Sequence, residues 1–167
     1  RRMSTPLFIV QLFNGLQLGI LLVLVGAGLT LVFGVMDFIN LAHGVQYMLG
    51  AYLAVMFYSL TGSFFAGVLL ALVASMLFGL LLEVLVFRHL YERDHLEQVL
   101  ATFGIIIFLN QGVKILWGAA PLNMPMPDIL SGSVPLMDGL RYPVYRFAMI
   151  GAGLAIAVAL YLFVTAT

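Results

Sequence analysis

"MDFINLAHG", residues 36–44, places Asp37, Asn40 and His43 within seven positions, between two long uncharged runs. Residues 3–36 and 44–82 contain no Lys, Arg, Asp or Glu, and each run exceeds the roughly 20 apolar residues that carry a helix across a bilayer. The short polar stretch therefore decides whether the chain crosses once or stops and starts again. Asp and Asn compete for backbone hydrogen bonds, and Gly34 and Gly44 bracket the segment. The pattern predicts a broken or re-entrant region near 36–44, with a helix end and a fresh start near Asn40. Unbroken, the spacing of three would put Asp37, Asn40 and His43 on one helix face. Broken, it leaves bare N–H and C=O groups that must be buried in protein or line a wet cavity. The N-terminus of the new helix would favour an anionic group such as a carboxylate. Two readings follow: a kink whose polar groups satisfy one another, or part of the lining of a translocation path.

Composition settles the solvent. Hydrophobic residues make up 63% of the chain and charged residues 8%, with mean hydropathy +1.15. A soluble domain carries about 25% charged residues, so this chain could not cover a water-facing surface and reads as an integral membrane protein. Formal net charge is zero, which leaves no basic field for nucleic acid. With no Cys, disulfides and thiolate metal sites are excluded. His43, His89 and His95 are scattered without the spacing of a metal site, and phosphate loops, nucleophile elbows and HExxH are absent. No catalytic residue, metal or cofactor is predicted. The first apolar run is too long for a secretory signal, and Arg1–Arg2 precede Met3, which reads as the natural start.

Apolar spans fall at about 8–34, 45–61, 64–87, 97–117 and 144–166. Without strand alternation or hairpin-turn chemistry they read as helices, not a barrel. The expected fold is all-α: one polytopic transmembrane helical bundle of about five segments over residues 1–167. "TGS" (61–63) is a tight turn, and "RHLYERDHLE" (88–97) is the densest charge cluster. Residues 118–143 form the longest loop, whose five prolines forbid a continuous helix. Trp117, Tyr142 and Tyr145 flank it where an aromatic belt would sit. Arg88 and Arg93 favour a cytoplasmic 88–97 and an external proline loop, whereas three full crossings before Arg88 would place Arg1–Arg2 outside. A re-entrant 36–44 would remove that conflict.

Small residues recur every four positions: Gly67, Ala71, Ser75, Gly79; Gly26, Thr30, Gly34, after Gly15 and Gly19; and Gly151, Ala155, Ala159. Such stripes let membrane helices approach closely. Glu83 extends the third-span stripe by another step, into the bundle, where a carboxylate needs a partner or water. A tether to a basic group and a role in transport are the two readings. In the fourth span Asn110 and Lys114 are four apart beside Gln111. An interhelical Asn110 amide bond and a snorkelling Lys114 account for them.

Four ordered blocks carry a family resemblance. "GLTLVFGVMDFINLAHGVQYMLGAY" (28–52), "LEVLVFRHL" (82–90), "LATFGIIIFLNQGVKILWG" (100–118) and "LSGSVPLMDGLRYPVYR" (130–146) resemble branched-chain amino acid ABC transporter permeases. The resemblance runs from about residue 10 to the end. Members often carry an acidic residue within two positions of the "NLAHG" block, where this chain has Val45 and Gln46, so no role for that carboxylate transfers. Such permeases are nearly twice as long, with a basic ATPase-docking loop and further helices after the fifth. The resemblance thus implies an N-terminal portion, from a truncated or split reading frame or a longer chain.

It also implies a permease subunit of a bacterial inner-membrane importer for leucine, isoleucine, valine or related small amino acids. Its partners would be a second permease, two cytoplasmic ATPases that bind the ATP, and an external substrate-binding protein. Within that frame Asn40 and His43 are the first candidates for path lining, then Asp37 and Gln46, then Glu83 and Asn110. None is a catalyst. A sister permease for urea or short amides, a non-transporting membrane fragment and a passive channel are the competing readings.

Overall fold

Asp37 shows why the first helix stops. Its backbone adopts φ 47°, in the left-handed region, which Asp tolerates better than most residues. Its N–H closes the last turn onto the Phe33 carbonyl at 2.9 Å, an αL terminus. The computed structural model describes residues 5–137 and 140–166; Arg1, Arg2 and Met3 of the orientation argument lie outside them, as do Asp138 and Gly139. Five helices follow in order: α1 (Thr5–Met36), α2 (His43–Thr61), α3 (Phe64–Leu85), α4 (His95–Trp117) and α5 (Val144–Ala166). A 3₁₀ turn, Phe87–His89, extends α3. All five expected spans are therefore helical, and the fold is all-α and polytopic.

Four helical stretches are long and apolar enough to cross a membrane: Leu7–Met36, Phe64–His89, His95–Trp117 and Val144–Ala166. Leu and Phe side chains are exposed along all four, as lipid-facing helices require. The remaining segment, α2, has 19 residues, or about 28 Å of helix. His43, Gln46 and three tyrosines lower its apolarity.

Contacts divide the chain into two compact units, residues 28–125 and residues 1–27 with 126–167. In the first, α2 and α3 form an antiparallel pair through the "TGS" turn. Gly62 caps α2 at φ 66°, with its N–H on the Tyr58 carbonyl at 2.8 Å. The Ser63 hydroxyl receives the Ala66 N–H as the α3 cap. Gly67 lies against the Tyr58 backbone, Ala71 is buried, and Ser75 faces Gly50. Gly79, expected on the same seam, meets nothing within 4 Å. The core of this unit joins Ala42, Val45 and Leu109, covered by Met48, Phe78, Ile105 and Ile106.

In the second unit Gly153 of α5 lies against Ile20 of α1. Phe13, Tyr142 and Phe147 form a cluster with ring centroids 5.0–5.6 Å apart. Tyr142 is 1% exposed, so it is a core residue and not part of an aromatic belt. The other expected stripes are on faces this chain leaves open: Gly15, Gly19, Gly26, Gly34 and Gly151 have no neighbour within 4 Å. Four-residue spacing defines a face but not its partner. The proline loop also holds an unexpected antiparallel pair, β1 (Ser133–Met137) with β2 (Leu140–Pro143). Pro135 and Pro143 are tolerated because a two-strand ladder leaves each strand a free edge. The strands fall in the stretch read from the sequence as a loop, whose prolines exclude a helix but not a short ladder.

A Cβ on Gly67 would stand 2.9 Å from the Tyr58 amide nitrogen, and backbone cannot swing aside. Gly67→Ala should therefore destabilise by about 1–3 kcal/mol. Gly79→Ala, in open space, should be neutral or slightly stabilising. Thermal unfolding midpoints in detergent micelles check the contrast.

Candidate functional site

Past Asp37, whose N–H closes α1, residues 38–42 have no helical ladder to absorb their amides. Side chains of α4 take two of them. The Ile39 N–H donates to Gln98 Oε1 at 3.1 Å. One turn further along α4, the Leu41 N–H donates to Thr102 Oγ1 at 3.4 Å. Gln98 also donates from Nε2 to the carbonyls of Leu90 at 3.1 Å and Arg93 at 3.2 Å. The Thr102 hydroxyl donates to the Gln98 carbonyl at 2.8 Å. Gln98 and Thr102 are 1% and 0% exposed, so both polar side chains are buried and find their partners within the protein. Phe38 is buried beside them, its ring centroid 5.4 Å from that of Phe87 and 5.3 Å from that of Tyr91. The break is thus a packed, hydrogen-bonded structure held by α4 and the joint that precedes it.

One group in it is left over. Asn40 is 6% exposed, and its Oδ1 is buried without a hydrogen-bond partner among the described residues. Asn40 does not cap the next helix as its residue type suggested. Its backbone carbonyl takes the His43 N–H at 3.4 Å, Leu41 and Ala42 complete a turn, and α2 begins three residues later than expected. Ala42 occupies the cap position and offers no side-chain acceptor, so the first-turn amides of α2 have no side-chain cap. His43 packs on α1, where a Cβ on Gly28 would stand 2.9 Å from His43 Nε2. Gln46 lies one turn on and is half-buried.

The other candidates divide. Asp37 is exposed, its Oδ2 3.5 Å from His95 Nε2 at the start of α4; this pair gains charge only when His95 is protonated, and water screens it. Glu83 does not reach a basic group. Its Oε2 accepts the Tyr91 hydroxyl at 2.5 Å, because the chain turns after Phe87 and brings the phenol of the joint back over α3. Tyr91 also packs edge-on against Phe38, which couples Glu83 to the break. Asn110 stays apart: its Nδ2 donates to the Ile106 carbonyl of its own helix at 2.9 Å, not to a neighbouring helix. Burial, then the hydrogen bond from Tyr91 to Glu83 and the negative charge of Glu83, push the Tyr91 phenol well above the ordinary tyrosine range. No group of three His, Cys, Asp or Glu able to hold a metal occurs among the described residues.

In the other unit, Asn14 Oδ1 accepts from the Tyr142 hydroxyl at 3.4 Å and from Arg146 Nη1. Arg146 Nε donates to the Tyr145 hydroxyl at 3.0 Å. Sequence reasoning passed over Asn14, Gln98 and Thr102. The signal was present: Asn14 is the only asparagine in a charge-free span, and Gln98 and Thr102 are four apart on one face of α4. Tyr91 gave no such signal, since its partner is set by the chain's turn.

Residues 11–167 match the family described as the permease component of the branched-chain amino acid transport system. The high-affinity branched-chain amino acid transport system permease protein LivH of Escherichia coli K12 is 31% identical over 127 residues, 71% of this chain and 41% of that protein. Its Salmonella typhimurium counterpart is 30% identical over the same shares. The permease protein BraD of Pseudomonas aeruginosa is 29% identical over 117 residues, 65% of this chain and 38% of that protein. The chain thus spans about two-fifths of the length of these curated relatives. No solved structure matches it.

Gln98→Leu strips the acceptor from the Ile39 amide and the donor from two carbonyls. It should cost at least about 1–3 kcal/mol and raise hydrogen exchange at Ile39, while Asn110→Leu, which breaks only a local bond, should cost less. Tyr91→Phe tests the Glu83 pair through pH. A phenol whose folded pKa is raised contributes stability that is complete below the ordinary tyrosine value near 10 and is lost as pH rises toward the folded value. The stability gap between wild type and Tyr91→Phe should be constant from pH 7 to 9 and shrink above about pH 10, read from micelle unfolding curves.

Proposed function

Because the chain belongs to the permease-component family of branched-chain amino acid transport systems, we propose that it forms part of a translocation path for leucine, isoleucine, valine or a related small amino acid. It works in a bacterial inner membrane beside a second permease, two cytoplasmic ATPases and an external substrate-binding protein. The ATPases bind the ATP; this chain makes and breaks no bonds. The densely charged 88–97 joint faces the cytoplasm and the proline loop faces outward.

The observation that carries this reading is the leftover polarity of the break. Asn40 keeps a buried oxygen without a donor among the described residues, and α2 starts with no side-chain cap. Around them, α4 has satisfied the Ile39 and Leu41 amides. A purely structural kink gains nothing by leaving an acceptor unpaired, which costs about 1–3 kcal/mol. Broken membrane helices that serve transport use such groups at the path. Asn40 and His43 are the lining residues, with Gln46 one turn deeper. Asp37 lies at the exposed end, beside His95. Glu83 acts through Tyr91 and Phe38 as a support for the break, and Asn110 has the weakest claim.

The test is leucine uptake by the complete transporter carrying Asn40→Ala or His43→Ala. Uptake should fall about tenfold, the equivalent of one lost hydrogen bond of some 1.4 kcal/mol, with the amount of protein in the membrane unchanged. Unchanged uptake at normal expression would refute the path role. Uptake of short amides in place of leucine would identify the sister cargo class, and conductance without ATPases would overturn the importer reading.

A further inference from the structure

α1 carries five glycines: Gly15, Gly19, Gly26, Gly28 and Gly34. Among the described residues, Gly28 alone of the five has a neighbour within 4 Å. It also stands off the four-step stripe. Two positions from Gly26, it lies about 200° round the helix from the face that Gly26, Thr30 and Gly34 share. Close approach of two helix backbones therefore does not account for it. Its neighbour is a single side chain, that of His43 at the start of α2, whose Nε2 and Cε1 would stand 2.9 Å and 3.0 Å from a Cβ on Gly28. Non-bonded carbon atoms keep about 3.5–4.0 Å apart, so the imidazole tip occupies space that any other residue would fill.

No polar contact holds the ring in place instead. His43 is half-buried, and its imidazole makes no hydrogen bond, ion pair or ring contact among the described residues. The two helices that meet here offer it no charge either, since residues 3–36 and 44–82 contain no Lys, Arg, Asp or Glu. Gly28 is eight residues before the end of α1 at Met36, about 12 Å along the helix, so the ring rests on the body of α1 and not on its frayed end. We propose that Gly28 is a positioning residue for His43: its missing side chain seats the imidazole against α1 and leaves both ring nitrogens for the solute. A larger residue at this position drives the ring off its seat. This inference rests on His43 lining the path, and adds the residue that sets its orientation.

The contact can be read without transport. The chain has three histidines, and His43→Ala identifies the His43 signals in NMR spectra of the chain labelled with nitrogen-15 in its imidazoles, in micelles. Gly28→Ala should shift those signals and leave the signals of His89 and His95 in place. Unmoved His43 signals would overturn the proposal. In the complete transporter, Gly28→Ala should lower leucine uptake about tenfold, as His43→Ala does. The amount of protein in the membrane should hold, because Ala is the better helix former. Added to His43→Ala, which has no ring to displace, Gly28→Ala should lower uptake no further. An equal loss with and without the ring would defeat the positioning role and leave the path reading standing. So would normal uptake in Gly28→Ala where His43→Ala transports poorly. Protein lost from the membrane, in place of uptake lost per molecule, would make the contact structural and overturn the proposal. Normal uptake in His43→Ala would remove the path reading itself, and this inference with it.

Discussion

A backbone amide inside a membrane protein must find an acceptor, and at the break after α1 that acceptor is the side chain of Gln98. Apolar packing in lipid is non-directional and could let α4 slide or rotate against its neighbours. The Gln98 carboxamide prevents this by bonding at once to Ile39 in the break and to Leu90 and Arg93 in the joint before α4. Thr102 repeats the arrangement one turn on, with Leu41. Two side chains thus set the register of α4 against a segment about sixty positions earlier. Phe38 and Ala42 are buried in the same break, and Tyr91 of the joint packs on Phe38.

Polar groups around this centre fall into two sets. Gln98, Thr102, Tyr91 with Glu83, and Asn14 with Tyr142 and Arg146 have their partners within the chain. They tie helices together in a medium that cannot hydrogen-bond. Asn40 Oδ1, the uncapped first turn of α2 and the Lys114 ammonium have none among the described residues. This division, more than any single motif, separates the polar groups that hold the fold together from those without a partner among the described residues.

Apolar surface follows the same logic. Gly67, Ala71 and Ser75 are used where α3 meets α2, and Gly153 where α5 meets α1. Glycines of equal spacing on α1 and α5 face open space. Close backbone approach needs small residues on both helices, so those open faces are competent for packing without specifying a neighbour.

Composition and hydropathy determined by themselves that the chain is a set of membrane helices, because 8% charged residues cannot clothe a soluble surface. They also located all five helices to within a few residues, since long uncharged runs leave little choice of structure. Asp37, Gly62 and the prolines marked the stops through local backbone chemistry, which is written residue by residue. The four-block resemblance named the family before any contact was known. Only the tertiary structure decided that Glu83 pairs with Tyr91, that Asn110 bonds its own helix, that Tyr142 is core and that Gln98 holds the break. Each depends on which helix lies beside which, and apolar sides that all look alike in the sequence do not encode that choice; it takes directional bonds between distant residues to make it.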